Sequence, residues 1–245
     1  MRHVLITGAS SGIGKQLAQD YAAEGWEVTA CGRDEAKLIS TAAASPLIVP
    51  LPFDITDLQA TRQALQGVQA DLVILCAGTC EYIDNGVVEA EKVMRVMNTN
   101  FIGPVNCLDS LLPGLAPGSR VALVGSTAWL LPFSRSEAYG ASKAALAFFA
   151  RSLSVDLASR QIHISLIQPG FVETPLTAQN NFPMPMMITV TQASQHIRKK
   201  LARGASEIAF PPLFAGFLKV ASLLPVSLQK WLCRKMVPVR KEGKR

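Results

Sequence analysis

Seven short aliphatic runs recur along the chain: HVLIT (3–7), EVTAC (27–31), LIVPLPF (47–53), DLVILC (71–76), RVALVGS (120–126), IHISLI (162–167) and EIAF (207–210). Each is too short for a buried helix, and most are apolar at successive positions rather than alternating, which predicts strands covered on both faces. Between them lie segments with apolar residues at three and four spacing. GKQLAQDYAAEG is one, and it ends at Gly25 as a helix should. Strand then helix, repeated, predicts βαβ units with right-handed crossovers and a parallel sheet with helices on both faces. At 245 residues the chain fits one α/β domain of this kind.

Two stretches break the rhythm. TPLTAQNNFPMPMMI (174–188) is rich in Pro, Asn and Met and predicts a loop with the length of a lid. From Pro211 onward the chain gives an apolar segment interrupted by Lys219 and Pro225, then a basic amphipathic one. Neither holds the roughly 20 uninterrupted apolar residues that a bilayer crossing needs. The expected division is a main α/β unit over 1–210 and a helical C-terminal extension of it over 211–245.

Composition narrows the classes. With 49% hydrophobic and 17% charged residues the chain is globular, not disordered. The net charge of +6 is concentrated toward the C-terminus, at Lys199, Lys200, Arg234, Lys235, Arg240 and Lys241. No aromatic-interleaved basic stripe occurs elsewhere, so nucleic acid is not the expected partner. Five scattered cysteines (Cys31, Cys76, Cys80, Cys107, Cys233) fit a reduced, cytoplasmic protein rather than a disulfide scaffold. His3, His163 and His196 share no ligand spacing, and no metal is expected. The opening MRHVLITGAS has too short an apolar core for a signal peptide and reads as the first strand.

The chemistry begins at TGASSGIG, Thr7 to Gly14, between the first strand and the first helix. Gly8, Gly12 and Gly14 permit a tight turn and close backbone approach to a pyrophosphate. Ser10, Ser11 and Ile13 complete the turn, and the helix N-terminus offers free N–H groups. At the end of the second strand, ACGRDEAKL places Cys31 where an acid could hold a ribose hydroxyl and Arg33 close behind, which favours NADP over NAD. The other reading of Arg33 is a cation at a solvated helix start beside Asp34 and Glu35. In EAYGASKAAL (137–146), Tyr139 and Lys143 stand four residues apart on one helix face. That pair serves proton transfer or mere packing, and other residues must decide between them.

TGASSGIG, CAG at 76–78, Asn100, Ser126 and YGASK together resemble the short-chain dehydrogenase/reductase family over nearly all the chain to about residue 210. Ser126 precedes Tyr139 by the family's usual interval. The resemblance implies a single doubly wound Rossmann-type domain with a seven-stranded parallel sheet, a nicotinamide cofactor and a small-molecule carbonyl or alcohol substrate. It makes Tyr139 the general acid/base, Lys143 its electrostatic partner and ribose ligand, and Ser126 the holder of the substrate oxygen. Asn100, chosen over Asn98 by its spacing to Gly103, would steady a water for proton relay. Asp54 would bind the adenine amino group, with a turn or helix cap as its other reading. Ala77 and Gly78 would back the adenine side, and Pro169, Gly170, Val172 and Thr174 of QPGFVETPL would meet the nicotinamide. Cys76 departs from the asparagine that usually precedes Ala-Gly. Relatives pair through helices near 88–112 and 136–158, so a homodimer or homotetramer is expected.

Two matters stay open. Phe182, Met184, Met186 and Met187 of the lid, with Trp129, Leu130 and Leu131 after Ser126, would line a pocket for a hydrophobic or lipid-like substrate, or simply pack. The apolar tail with Lys219, Lys230, Arg234 and Lys235 would either meet a membrane peripherally or pack over the pocket or into a subunit interface. A protein that binds NADP as a sensor or scaffold, without turnover, is the competing functional class.

Overall fold

The computed structural model describes residues 1–236; the basic positions Arg240 and Lys241 lie outside that range. Seven strands form one parallel sheet: β1 (His3–Thr7), β2 (Glu27–Gly32), β3 (Ile48–Pro52), β4 (Leu72–Leu75), β5 (Arg120–Val124), β6 (His163–Pro169) and β7 (Glu207–Phe210). They lie in the order β3-β2-β1-β4-β5-β6-β7. Each aliphatic run of the sequence is therefore a strand, and the single-domain doubly wound expectation holds.

Strand periodicity sorts the core into two layers. Val4 and Ile6 face one side of the sheet, where α1 (Gly12–Ala23) and α7 (Val190–Ala202) cover them with Leu17, Ala18 and Ile197. Leu5 faces the other, with Leu65 of α3 (Leu58–Leu65), Leu108 of α5 (Gly103–Leu111) and Leu146 of α6 (Glu137–Asp156). The remaining helices are α2 (Glu35–Ala42), α4 (Ala90–Met97), α8 (Pro212–Ser222) and α9 (Val226–Met236).

The chain leaves β1 for β2 on one side and reaches β4 on the other, so the sheet's topological switch point falls between β1 and β4. Crossovers diverge there and leave a crevice at the strands' carboxyl ends, the place where such sheets take ligands. The turn after β1 and Cys76-Ala77-Gly78 after β4 meet in it. Thr7 Oγ1 ties them by accepting from the Cys76 and Ala77 N–H groups at 3.1 and 3.2 Å.

Two α-helices of one continuous stretch, α4 and α5, are joined by a π-helical turn, Asn98–Ile102, which contains Asn100. Such turns insert an extra residue into the helical ladder and commonly mark functional sites.

Candidate active site

The cavity at the switch point has a volume of about 340 Å³ and is lined by the glycine turn, Arg33, Asp54, Ala77, Gly78, Ser126, Tyr139, Lys143 and the segment after β6. Nearly every residue that the sequence singled out is thus brought to one crevice.

The glycine turn is built by close approach. Gly8 has φ +70° and Gly12 φ +53°, conformations that side chains disfavour. A Cβ on Gly8 would stand 2.8 Å from the Ala77 backbone, and one on Gly14 only 2.3 Å from the Gly8 carbonyl oxygen. The following helix is left open at its N-terminus. Ser11 stands extended at the N-cap with no side-chain cap bond, and the first turn of α1 holds no acid. By contrast Asp34, Asp57 and Thr189 all cap their helices through side chains. Uncapped amides, a positive helix end and backbone with no Cβ in the way fit the pyrophosphate of a dinucleotide.

At the far end of the crevice Arg33 Nη1 lies 3.5 Å from Asp54 Oδ2. Asp34, not Arg33, caps α2, by accepting from Lys37 N–H. Asp54 Oδ1 accepts from the N–H and Oγ1 of Thr56 at 2.9 and 2.8 Å. Burial alone would raise this carboxyl; the Thr56 bonds and the Arg33 charge outweigh it and hold it below the usual range. The turn reading of Asp54 is therefore realised, with its second oxygen directed to Arg33.

Ser126 is the N-cap of a short helical turn, Thr127–Trp129, accepting from Ala128 N–H at 3.1 Å. Tyr139 and Lys143 sit on one face of α6, with Lys143 Nζ 5.8 Å from the Tyr139 ring centre. Lys143 is buried and donates to the Val124 carbonyl at 2.8 Å. Burial lowers the Lys143 ammonium to about 8, with the Cys76 and Cys80 thiols opposing. Burial pushes the Tyr139 phenol up to about 12, and a hydrogen bond with Ser126 draws it back only in part.

Asn100 is wholly buried behind the crevice wall, with its side-chain amide engaged: Oδ1 accepts from Thr79 N–H at 2.8 Å, and Nδ2 donates to the Thr79 carbonyl at 2.9 Å and to Ser142 Oγ at 3.0 Å. Ser142 in turn donates to the Tyr139 carbonyl at 2.7 Å, so Asn100 positions the loop after β4 against the helix that carries Tyr139.

Leu130 and Leu131 follow the packing alternative. They are buried against Leu218, Ala221 and Cys233 of α8 and α9, so they seat the tail instead of lining the cavity. The Trp129 indole donates to Gln168 Oε1 at 2.9 Å and has the Arg151 guanidinium over its ring. In the lid, Met186 and Met187 are turned outward, while Phe182 meets Tyr82 and Phe171 edge-on.

Two residues at the mouth escaped sequence reasoning. Tyr82 donates to Asn180 Oδ1 at 2.5 Å, and Arg135 Nη1 donates to Asn181 Oδ1 at 2.9 Å, so both hold the lid's tip. The lid's base is fixed separately by a bridge between Val172 and Ile188. Arg135 also stacks on Tyr82 and pairs with Asp84.

A doubly wound sheet with an open dinucleotide crevice and a Ser, Tyr, Lys set at its edge defines the class of nicotinamide-dependent oxidoreductases. The short chain dehydrogenase family model matches residues 2–184, and the chain belongs to that family. It is 35% identical over 240 residues to an uncharacterized oxidoreductase of Myxococcus xanthus, covering 91% of this chain and 93% of that one. It is 32% identical over 186 residues to a serine 3-dehydrogenase of Rhizobium radiobacter, covering 71% and 73%. Among solved structures, BdcA in complex with NADPH aligns with a TM-score of 0.75 at 21% identity over 85% of this chain and 93% of that one. A short-chain dehydrogenase/reductase from Vibrio parahaemolyticus aligns with a TM-score of 0.76 at 24% identity, covering 84% and 95%. These two share the fold.

Proposed function

We propose that this protein transfers hydride between NADP(H) and a hydrophobic carbonyl or alcohol substrate, with Tyr139 as general acid/base. The observation that carries this reading is the meeting of Ser126, Tyr139 and Lys143 in the same crevice as the glycine turn. A sensor that only bound the cofactor would need the turn but not the other three.

Bound in the crevice, the nicotinamide supplies the hydride acceptor or donor and, when oxidised, a positive charge. The protein's own part is proton management. Ser126 presents its hydroxyl beside the Tyr139 phenol to hold the substrate oxygen, and Tyr139 gives that oxygen a proton in reduction or removes it in oxidation. Bringing a phenol from about 12 to near 7 takes roughly 7 kcal/mol, at 1.36 kcal/mol per unit. A single ammonium about 6 Å away supplies roughly 3 kcal/mol at an effective dielectric of 20. Lys143 and the positive charge of an oxidised nicotinamide would act together to lower the phenol.

Arg33, exposed at the end of β2, supports NADP: its guanidinium is free to exchange Asp54 for a ribose 2′-phosphate. Tyr82, Phe171, Phe182 and Phe214 form an aromatic group beside Gly170, which lines the crevice, and support an apolar substrate. Ile102 on the π turn, with Phe148 and Val155 of α6, leaves apolar side chains exposed and supports pairing of subunits. The described cysteines are all unpaired, which supports a reduced, cytoplasmic setting. The test is a panel of long-chain and short polar ketones followed by NADPH absorbance beside Tyr139→Phe. Turnover by wild type with loss in the variant supports the reading; turnover by the variant overturns it, and preference for short polar ketones overturns the substrate class.

A further inference from the structure

We infer that α8 and α9 dock the protein on an anionic lipid surface, lying on it rather than crossing it. Leu213, Phe217, Val220 and Leu224 recur at helical spacing along α8 and its exit, and all are exposed. Leu228 and Trp231 continue the exposed apolar surface on α9. The opposite sides of these helices carry the packing: Leu218, Ala221 and Cys233 are buried on Leu130 and Leu131. A helix pair needs one apolar face to fold, so a second one left in water requires an occupant.

Charge identifies that occupant. From Ile208 to Lys241 the sequence contains no Asp or Glu. Lys230, Arg234 and Lys235 are exposed and form no ion pair among the described residues. The sequence beyond adds Arg240, Lys241, Lys244 and Arg245 against one acid, Glu242. Apolar side chains with an aromatic residue among them, flanked mainly by cations, complement anionic headgroups over acyl chains. Among the described residues no helix is long and apolar enough to span the bilayer, so the contact is interfacial.

The surface adjoins the crevice. Phe214 of α8 lies against Phe171, whose ring also meets Phe182 of the lid, and Met186 and Met187 of that lid are exposed. A membrane against α8 and α9 would therefore lie near the mouth and could deliver a lipid-dissolved substrate to it, a consequence that rests on the oxidoreductase reading.

The test uses the full chain in flotation with vesicles of phosphatidylglycerol and phosphatidylcholine in equal parts, and with phosphatidylcholine alone. Wild type should float with the anionic vesicles and not with the neutral ones. Phe217→Ser/Trp231→Ser and Lys230→Glu/Lys235→Glu should each bind at least about tenfold more weakly, with turnover of a water-soluble ketone unchanged. Failure of wild type to float, or equal flotation by both variants, overturns the docking. Loss of self-association in the serine variant, by light scattering and without vesicle binding in wild type, would assign the face to a second copy of the chain instead. Turnover of the soluble ketone reads the oxidoreductase assignment separately.

Discussion

Lys143 places its ammonium 5.8 Å from the centre of the Tyr139 ring while donating to the Val124 carbonyl at 2.8 Å. The carbonyl bond holds a charge that burial opposes, beside a phenol that burial keeps protonated. Tyr139→Phe removes the proton that the proposed mechanism moves to the substrate oxygen. Its turnover should fall by roughly 10²–10⁴-fold, while NADPH affinity, measured by fluorescence titration, should change little.

Lys143 also costs stability. Its ammonium falls from 10.5 to about 8 on folding, so the unfolded chain binds more protons between those values. Stability should therefore rise with pH through that window, and the penalty is fully present below about 8. It amounts to about 3 kcal/mol at 1.36 kcal/mol per unit. Lys143→Met should lose activity, yet unfold at higher denaturant concentration than wild type at pH 7, with the advantage shrinking toward pH 10.

Gly14→Ala should abolish cofactor binding, because its Cβ would stand 2.3 Å from the Gly8 carbonyl oxygen and force the turn apart. Gly25→Ala is the control. It sits at φ +80° with nothing within 4 Å, so only backbone strain of about 1 kcal/mol is expected. Calorimetric titration with NADPH should separate the two.

Arg33→Ala removes the cation at the end of β2. A charged hydrogen bond contributes about 1.5–3 kcal/mol, so KM for NADPH should rise roughly 10- to 100-fold while KM for NADH moves little. Equal changes for both cofactors would remove Arg33 from the 2′-phosphate.

Tyr82→Phe releases the bond to Asn180, and Arg135→Ala the bond to Asn181. Each loss of about 1 kcal/mol should raise substrate KM roughly fivefold. Proteolysis within 174–188 should accelerate in the same variants.

The strands were legible because burial on both faces of a parallel sheet demands unbroken aliphatic runs, and such runs are short. Boundaries moved both ways: β4 and β5 stop at Leu75 and Val124, short of their apolar runs, while β6 continues through Gln168 and Pro169, which pair with Ala209 and Phe210. Tyr139, Lys143 and Gly8 to Gly14 were legible because local spacing fixes their geometry. Tyr82 and Arg135 were not, since they come from separate loops and meet the lid only after folding. The direction of the Asn100 amide was also hidden, because Ser142 and Thr79 are 42 and 21 residues away from it. The tail's two apolar faces have the same period, so only Leu130 and Leu131 could show which one is covered.

The bridge between Val172 and Ile188 is closed by Glu173 N–H to the Ile188 carbonyl and Ile188 N–H to the Phe171 carbonyl, at 2.9 and 3.1 Å. It makes the stretch between them a cassette. Its ends are set by that bridge and by Thr177 Oγ1, which donates to the Val172 carbonyl at 2.6 Å, so exchange of residues 178–187 for those of a relative should not re-register β6 or α7. A graft of that stretch alone should carry substrate preference with it and leave cofactor choice behind.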